Sequence, residues 1–273
     1  MPVLYVVATP IGNLEDISLR ALRVLSQVKL IAAEDTRSTR RMLNRYDIKT
    51  PLTSYHEQNK RTKLDYLMER LKEEDMALVS EAGMPGLSDP GYELIAAAIG
   101  HDVPVVPVPG ASAVITALVV SGLPTDQFLY LGFLPRRKGE RRRLLQSVAD
   151  EPRTLVAFEA PHRIQETLGD AMDVLGDRKS AVCRELTKLY EEIFRGRLSQ
   201  ALGYFAQPKG EITLVIEGNK GSKPEVNETI EAELYKLYKQ GAGAKEAVAC
   251  LFETSGIPKK KLYQAWLGLA KGD

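Results

Sequence analysis

Histidine, cysteine and tryptophan are scarce in this chain of 273 residues, at three, two and one. The histidines stand at 56, 101 and 162 with no cysteine at ligand spacing, so the pattern offers no metal site. Cys183 and Cys250 lack partner spacing, which fits a reducing cytoplasm, and both are expected to be buried and inert. No apolar stretch is long enough for a bilayer, and the opening "MPVLYVVATPIGN" has no basic n-region, so it reads as a strand rather than a signal peptide. Charge of one sign is missing too. A net charge of +1 advertises no global field for nucleic acid. Also absent are G-x-G-x-x-G, G-x-x-x-x-G-K-[ST] and G-x-S-x-G, which removes the dinucleotide fingerprint, the P-loop and the serine nucleophile elbow.

What the chain does have is alternation. "LYVVAT" (4–9), "KLIAAE" (29–34), "PLTSY" (51–55), "MALVS" (76–80), "VPVVPV" (103–108) and "FLYLGF" (128–133) are short and apolar, and stretches of helical spacing separate them. Near-continuous apolar strands alternating with helices predict a mainly parallel sheet covered on both faces. "GASAVITALVVSGL" is apolar almost all round and reads as a helix buried between layers. The pattern breaks at "LPRRKGERRR", a basic linker, and restarts with "TLVAFEA" (154–160), "SAVCREL" (180–186), "EEIFRGR" (191–197) and "EITLVIEG" (211–218). The close middle pair predicts an antiparallel hairpin and hence a mixed second sheet. "NKGSKPEVN" (219–227) reads as a further linker, followed by helices near 228–240, 244–255 and 258–270 with a weak helix-turn-helix cadence. The expected fold class is therefore α/β, with two α/β domains at 1–134 and 135–220 and a helical extension at 221–273.

Ligands in open α/β sheets bind beyond the carboxyl ends of the strands. Those ends read "ATPIGNLED", "AEDTRSTR", "SYHEQN", "SEAGMPGLSDPGYEL", "VPGASA" and "FEAPHR", where glycine, proline, carboxylate, histidine and arginine collect. Each glycine alone could serve a turn; together they suggest backbone opened to a ligand. "TPIGN" and "VPGASA" lead into helices and could direct amides at an anion. Glu34, Asp35, His56 and Glu57 are the polar groups weighed as chemistry. Arg37, Arg40, Arg41 and Arg45 fit either surface pairing or phosphate contact.

In order along residues 3–218, the peptides "VATPIGNLEDIS", "AEDTRSTRRML", "SYHEQN", "SEAGMPGLSDPGYELI", "VPGASAVITAL", "GFLPRRKGERR", "FEAPHRI" and "RELTKLYEEIFRG" resemble the ribosomal RNA methyltransferases of the tetrapyrrole-methylase (class III) superfamily. The resemblance implies S-adenosylmethionine as cofactor, bound in the cleft between two α/β domains, and a homodimer. It implies 2′-O-methylation of a cytidine ribose in the decoding region of small-subunit (16S) ribosomal RNA, with that RNA or the assembled small subunit as partner. By similarity, Gly83, Met84 and Pro85 stand at the cofactor, with Pro10, Ile11, Ser112 and Ala113. From the second domain Glu159, Gly210 and Glu211 would close over the adenine. Relatives read "SDAGTPG" where this chain has Glu81 and Met84, so a contact at 84 would be made through backbone.

Methyl transfer is an in-line displacement in which positioning matters most, and a base near the ribose hydroxyl would assist. Glu34, Asp35, His56 and Glu57 are the candidates for that base, with orientation alone as the alternative. Arg37, Arg40, Arg136, Arg137, Arg141 and Arg142 would hold phosphates. Two other functions remain open at this level: a small-molecule methyltransferase acting on tetrapyrroles, and a non-catalytic ribosomal RNA-binding assembly factor.

Overall fold

The computed structural model describes residues 1–221, 226, 228–255 and 257–269. Its first half is a five-stranded parallel sheet built from β1 (Leu4–Val7), β2 (Leu30–Ala33), β3 (Leu52–Ser54), β4 (Met76–Val79) and β5 (Val105–Val108), in the order β3-β2-β4-β1-β5. Four helices connect these strands: α1 (Leu19–Gln27), α2 (Thr36–Arg45), α3 (Lys60–Arg70) and α4 (Tyr92–Gly100). Both faces of the sheet are buried, which is why its strands read as continuous apolar runs. Ile31 and Ala33 point with Val7, Ala77 and Val79 at Val24 and Leu25 of α1 and Leu43 of α2. Leu30 and Ala32 point the other way, with Leu4, Met76 and Leu78, at Leu67 of α3 and Leu94 of α4. Each fully buried leucine contributes about 2 kcal/mol of transfer free energy.

Local chemistry starts the helices where the sequence places polar caps. Ser18 accepts from the Ala21 amide at 3.0 Å to begin α1, and Asp35 accepts from Arg37 and Ser38 amides at 2.7 and 3.2 Å to begin α2. The chain leaves β1 through α1 on one face and leaves its neighbour β4 through α4 on the other. That divergence opens a crevice beyond the carboxyl ends of β1 and β4.

Helix α5 (Ala113–Val120) carries the chain to a second five-stranded sheet. This sheet contains β6 (Phe128–Phe133), β7 (Thr154–Glu159), β8 (Lys179–Arg184), β9 (Glu192–Arg197) and β10 (Ile212–Ile216), in the order β6-β7-β10-β8-β9. Only β6 and β7 are parallel; β8 and β9 form the expected antiparallel hairpin. Helices α6 (Lys138–Ser147), α7 (Ile164–Leu175) and α8 (Leu198–Tyr204) cover one face and α5 packs on the other.

Three expectations are corrected here. The strand at 128–133, grouped with the first five and hence with a domain ending at 134, pairs with β7 instead. The reason is α5, whose buried Val114, Ala117 and Leu118 pack with Val156 and Val215 and so deliver the chain to the second sheet. Helix α5 is not buried all round, since Ile115 and Val119 are exposed. The basic stretch 136–143 is largely the start of helix α6 rather than a linker.

Residues 1–218 form one compact unit and residues 219–273 another. The second contains α9 (Glu228–Lys239), α10 (Ala244–Ser255) and α11 (Lys259–Leu269) around Leu234, Val248, Leu251, Leu262 and Trp266. Tyr238 meets Trp266 edge to face with ring centroids 5.5 Å apart. Parts of the predicted linker and the Gly256 turn position lie outside the described residues. Cys183 is buried and burial pushes its thiol up to about 12, whereas Cys250 on α10 is exposed, contrary to expectation. Among the described residues no helix is long and apolar enough to cross a membrane.

Candidate functional site

A cavity of about 810 Å³ opens at the crevice beyond β1 and β4 and is lined by residues from both sheets. Its floor is backbone. Thr9 and Gly83 exchange two amide–carbonyl hydrogen bonds, at 2.9 and 3.1 Å, in an isolated antiparallel bridge that joins the loops after β1 and β4. Gly83 makes this bridge with φ +85°, a conformation that disfavours any side chain. Gly110, after β5, lies so close to the β1 end that an added Cβ would stand 2.9 Å from the Ala8 Cβ. The glycines of the strand-end motifs thus bring three loops together on one side of the cavity.

The opposite wall comes from the second sheet. Because β10 runs antiparallel to β7, its first residues lie beside the last ones of β7, with Ile212 paired to Glu159. Phe158, Glu159 and Ala160 therefore line the cavity with Gly210, Glu211 and Ile212. The turn between β8 and β9 reaches back to the first half, where the Asn13 amide donates to Thr187 Oγ1 at 3.1 Å.

Charge in the cavity is unevenly placed. Glu34, Glu81, Asp89 and Glu211 line it, as do the cations Arg41 and Lys188. The Glu34 carboxylate accepts from the Glu81 amide at 3.1 Å. Burial and the neighbouring carboxylates of Asp35, Glu34 and Glu211 raise Glu81. Burial first, then Glu34, push Asp89 up to about 7, against the opposing hydrogen bond with Ser80. Lys188 donates to Glu185 and Glu211 at 2.9 Å each. Burial works against its charge, but these two partners prevail and raise it.

Of the residues singled out in the sequence, Pro10, Ile11, Glu34, Gly83, Met84, Ser112, Ala113, Glu159, Gly210 and Glu211 line the cavity. The Glu159 carboxylate is turned away into the protein, bound to Arg163, Thr167 Oγ1 and the Ala160 amide, so only its strand end faces the site. Pro85 is buried outside the lining. Asp35 is the cap of α2; the amides of Arg37 and Ser38 hold its carboxyl below the usual range, and it does not line the cavity. His56 begins the turn into α3, its amide donating to Asn59 Oδ1 at 2.8 Å, and Glu57 pairs with Lys60 at 2.8 Å; neither lines the cavity.

The arginines divide in the same way. Arg37 is 91% exposed, and Arg136 and Arg137 are exposed. Arg40 instead donates to the Thr50 carbonyl at 3.2 Å. Arg141 is corrected outright. It is fully buried and ion-paired to Asp170 at 2.7 Å and to Glu166 at 3.3 Å, so it fastens α6 to α7 and meets no solvent. Arg142 joins it, reaching Asp170 at 3.1 Å and Asp173 at 2.9 Å. Among the cavity residues that went unselected, Arg41 had a readable signal: Ser38, Arg41 and Met42 share the helical spacing that aims one face of α2 at the site. Asp89 and Lys188 had none beyond lying in the quoted peptides.

The chain as a whole is similar to known proteins. Residues 3–202 match the family described as tetrapyrrole (corrin/porphyrin) methylases. A protein of Halalkalibacterium halodurans called ribosomal RNA small subunit methyltransferase I is 46% identical over 96% of this chain and 94% of its own. A protein of that same description from Thermotoga maritima is 48% identical over 80% of this chain and 99% of its own. Among solved structures, a diphthine synthase superposes with a TM-score of 0.63 at 14% identity, covering 96% of this chain and 99% of its own. A uroporphyrin-III C-methyltransferase from Thermus thermophilus, complexed with S-adenosyl homocysteine, gives 0.56 at 18%, covering 80% and 97%.

Proposed function

Because the chain belongs to the tetrapyrrole methylase family, and within it to the group of ribosomal RNA small subunit methyltransferase I, we propose that it is an S-adenosylmethionine-dependent ribosomal RNA methyltransferase. Its product would be the 2′-O-methyl group on a cytidine ribose in the decoding region of small-subunit ribosomal RNA. The observation that carries this reading is 46% identity to a protein of that name over nearly the whole of both chains.

The cavity fits the cofactor. Its volume of about 810 Å³ falls in the range of small-molecule sites, and Ile11, Met84, Val114 and Phe158 give it apolar walls. S-adenosylmethionine supplies a methyl group on a positively charged sulfur, and Glu34, Glu81 and Glu211 favour a cation at the site. The loop at Gly83 and Met84 would hold the cofactor through backbone, with Pro10 and Ile11 beside it. Ser112 and Ala113 stand at the start of α5, where free amides suit a carboxylate. Glu159, Gly210 and Glu211 would close the other side.

RNA would be held outside the cavity by Arg37, Arg136 and Arg137, with Arg41 at its edge. We also assign a cytoplasmic site of action and a homodimer, for which light scattering should give about twice the 30.2 kDa chain mass. Calorimetric titration with S-adenosylmethionine and S-adenosylhomocysteine is the first test, followed by methyl transfer to small-subunit RNA and to assembled subunits. Saturable binding with a mapped 2′-O-methyl cytidine establishes the function. Binding of the cofactor with transfer only to a tetrapyrrole would replace it, and RNA binding with no cofactor and no methyl mark would leave an assembly factor.

A further inference from the structure

Asp89 lies on the cavity wall in the loop after β4, half-buried. We propose that Asp89 is the catalytic base of the transfer, taking the proton from the ribose hydroxyl as its oxygen accepts the methyl group. This rests on the reading of the chain as a ribose 2′-O-methyltransferase.

The backbone around Asp89 is held in a costly shape. Ser88, immediately before it, has φ +65°, uncommon for a residue with a side chain, and its Oγ lies 2.7 Å from Tyr130 Oη on β6 of the second sheet. Gly86 and Gly91 flank it at φ +82° and +151°. A Cβ on Gly91 would stand 3.0 Å from the Gly86 amide nitrogen, so the loop turns back closely on itself. Backbone strain that the surroundings enforce is a common feature of sites where a side chain must be aimed. Here it fixes Asp89 at the seam between the two halves of the cavity wall.

The groups facing Asp89 are mostly of its own sign. Glu34 follows β2, Glu81 follows β4 and Glu211 precedes β10, all three acting against its ionisation, with Ser80 favouring it. Tyr130 faces it from β6, and Arg41 of α2 and Lys188 of the β8–β9 turn line the same cavity. No lysine or arginine forms an ion pair with Asp89 among the described residues. Nor does any group of three His, Cys, Asp or Glu converge closely enough to hold a metal ion among the described residues, so these carboxylates do not make a cation cage. Burial and Glu34 first, then Glu81 and Glu211, push Asp89 up to about 7, where a carboxylate is a far better proton acceptor than at its ordinary value and still ionises near neutral pH. Of the other candidates, Asp35 is held down by two amides, His56 and Glu57 are off the cavity, and the Glu34 carboxylate on its wall already accepts from the Glu81 amide at 3.1 Å.

The step balances. The hydroxyl oxygen forms the bond to the methyl carbon while the carbon–sulfur bond breaks and its electron pair stays on sulfur. The hydroxyl proton moves to an Asp89 carboxylate oxygen and passes from there to water.

Four measurements on the full chain test this, with Asp89→Asn and Asp89→Glu as variants. Asp89→Asn should lower single-turnover methyl transfer to small-subunit RNA by about 10²- to 10⁴-fold. Its affinity for S-adenosylmethionine, read by calorimetry, should stay near that of the parent, and Asp89→Glu should recover part of the rate. The parent's rate should rise with pH through about 7 and then level. A readout free of activity comes from infrared difference spectra of parent against Asp89→Asn, which should show a carboxyl titrating near 7. Full transfer by Asp89→Asn, or the absence of that titration, overturns the proposal while leaving the methyltransferase standing. A parent chain that binds cofactor but methylates no ribosomal RNA overturns both.

Discussion

Arg136 and Arg141 belong to one basic run, yet Arg136 faces water while Arg141 is fully buried against Asp170. Burial by itself would raise the Asp170 carboxyl, but the Arg141 and Arg142 guanidiniums outweigh it and hold it low. Arg141→Ala would leave the buried Asp170 carboxylate with Arg142 as its remaining cationic partner, so stability should fall by up to about 3–5 kcal/mol, measured by urea unfolding. Arg136→Ala should leave the unfolding midpoint unchanged and weaken RNA binding. Gly83 is fixed by its conformation rather than by its surroundings. A Cβ there would meet only ordinary contacts, the nearest the Ile11 side chain at 3.4 Å, but φ is +85°. Gly83→Ala should therefore cost about 1–2 kcal/mol and loosen the Thr9 bridge, with cofactor affinity falling alongside the melting temperature. Gly83→Val should do more of the same.

Helix α2 links the strand β2 to the site through one cap. Asp35 accepts two amides there, and this lowers its carboxyl in the folded state. A lowered folded value means the cap stabilises at neutral pH, and its contribution is lost as pH falls through that value. Asp35→Ala should melt earlier than the parent at about pH 7, and the gap should close towards about pH 2. Asp35→Asn, which keeps a cap acceptor, should stay near the parent throughout. A gap that persists unchanged into acid would show that the carboxylate does not cap α2 in solution. The same cap aims Ser38, Arg41 and Met42 at the cavity, so Asp35→Ala should also weaken cofactor binding without removing any group that lines it.

At the scale of the molecule, the cavity belongs entirely to residues 1–218 and the three C-terminal helices form a core of their own. A chain ending at Gly218 should bind S-adenosylmethionine as the full chain does; loss of binding by calorimetry would tie the helices to the site. With net charge near zero, the RNA affinity that the proposed function requires would come from local cations. Neutralising Arg136 and Arg137 together should reduce the salt slope of RNA binding by roughly two. An unchanged slope would remove them from the RNA contact.

Much of this architecture was legible in order along the chain. Two-sided strands such as "KLIAAE" and "MALVS" announce a covered parallel sheet because the period of their apolar residues is a local property. The glycine- and acid-rich peptides after β1, β2 and β4 meet at one cavity because the ends of parallel strands share one edge. What the tertiary structure alone decided are sums over distant neighbours. The sheet that β6 joins depends on where α5 packs. Whether an arginine meets water or Asp170 depends on a helix about thirty residues away, as the separation of 29 between Arg141 and Asp170 shows. The proton affinity of Asp89 is set by burial and by carboxylates from three other loop positions. Periodicity can be read from adjacent residues; pairing, burial and electrostatic field exist only once the chain has closed.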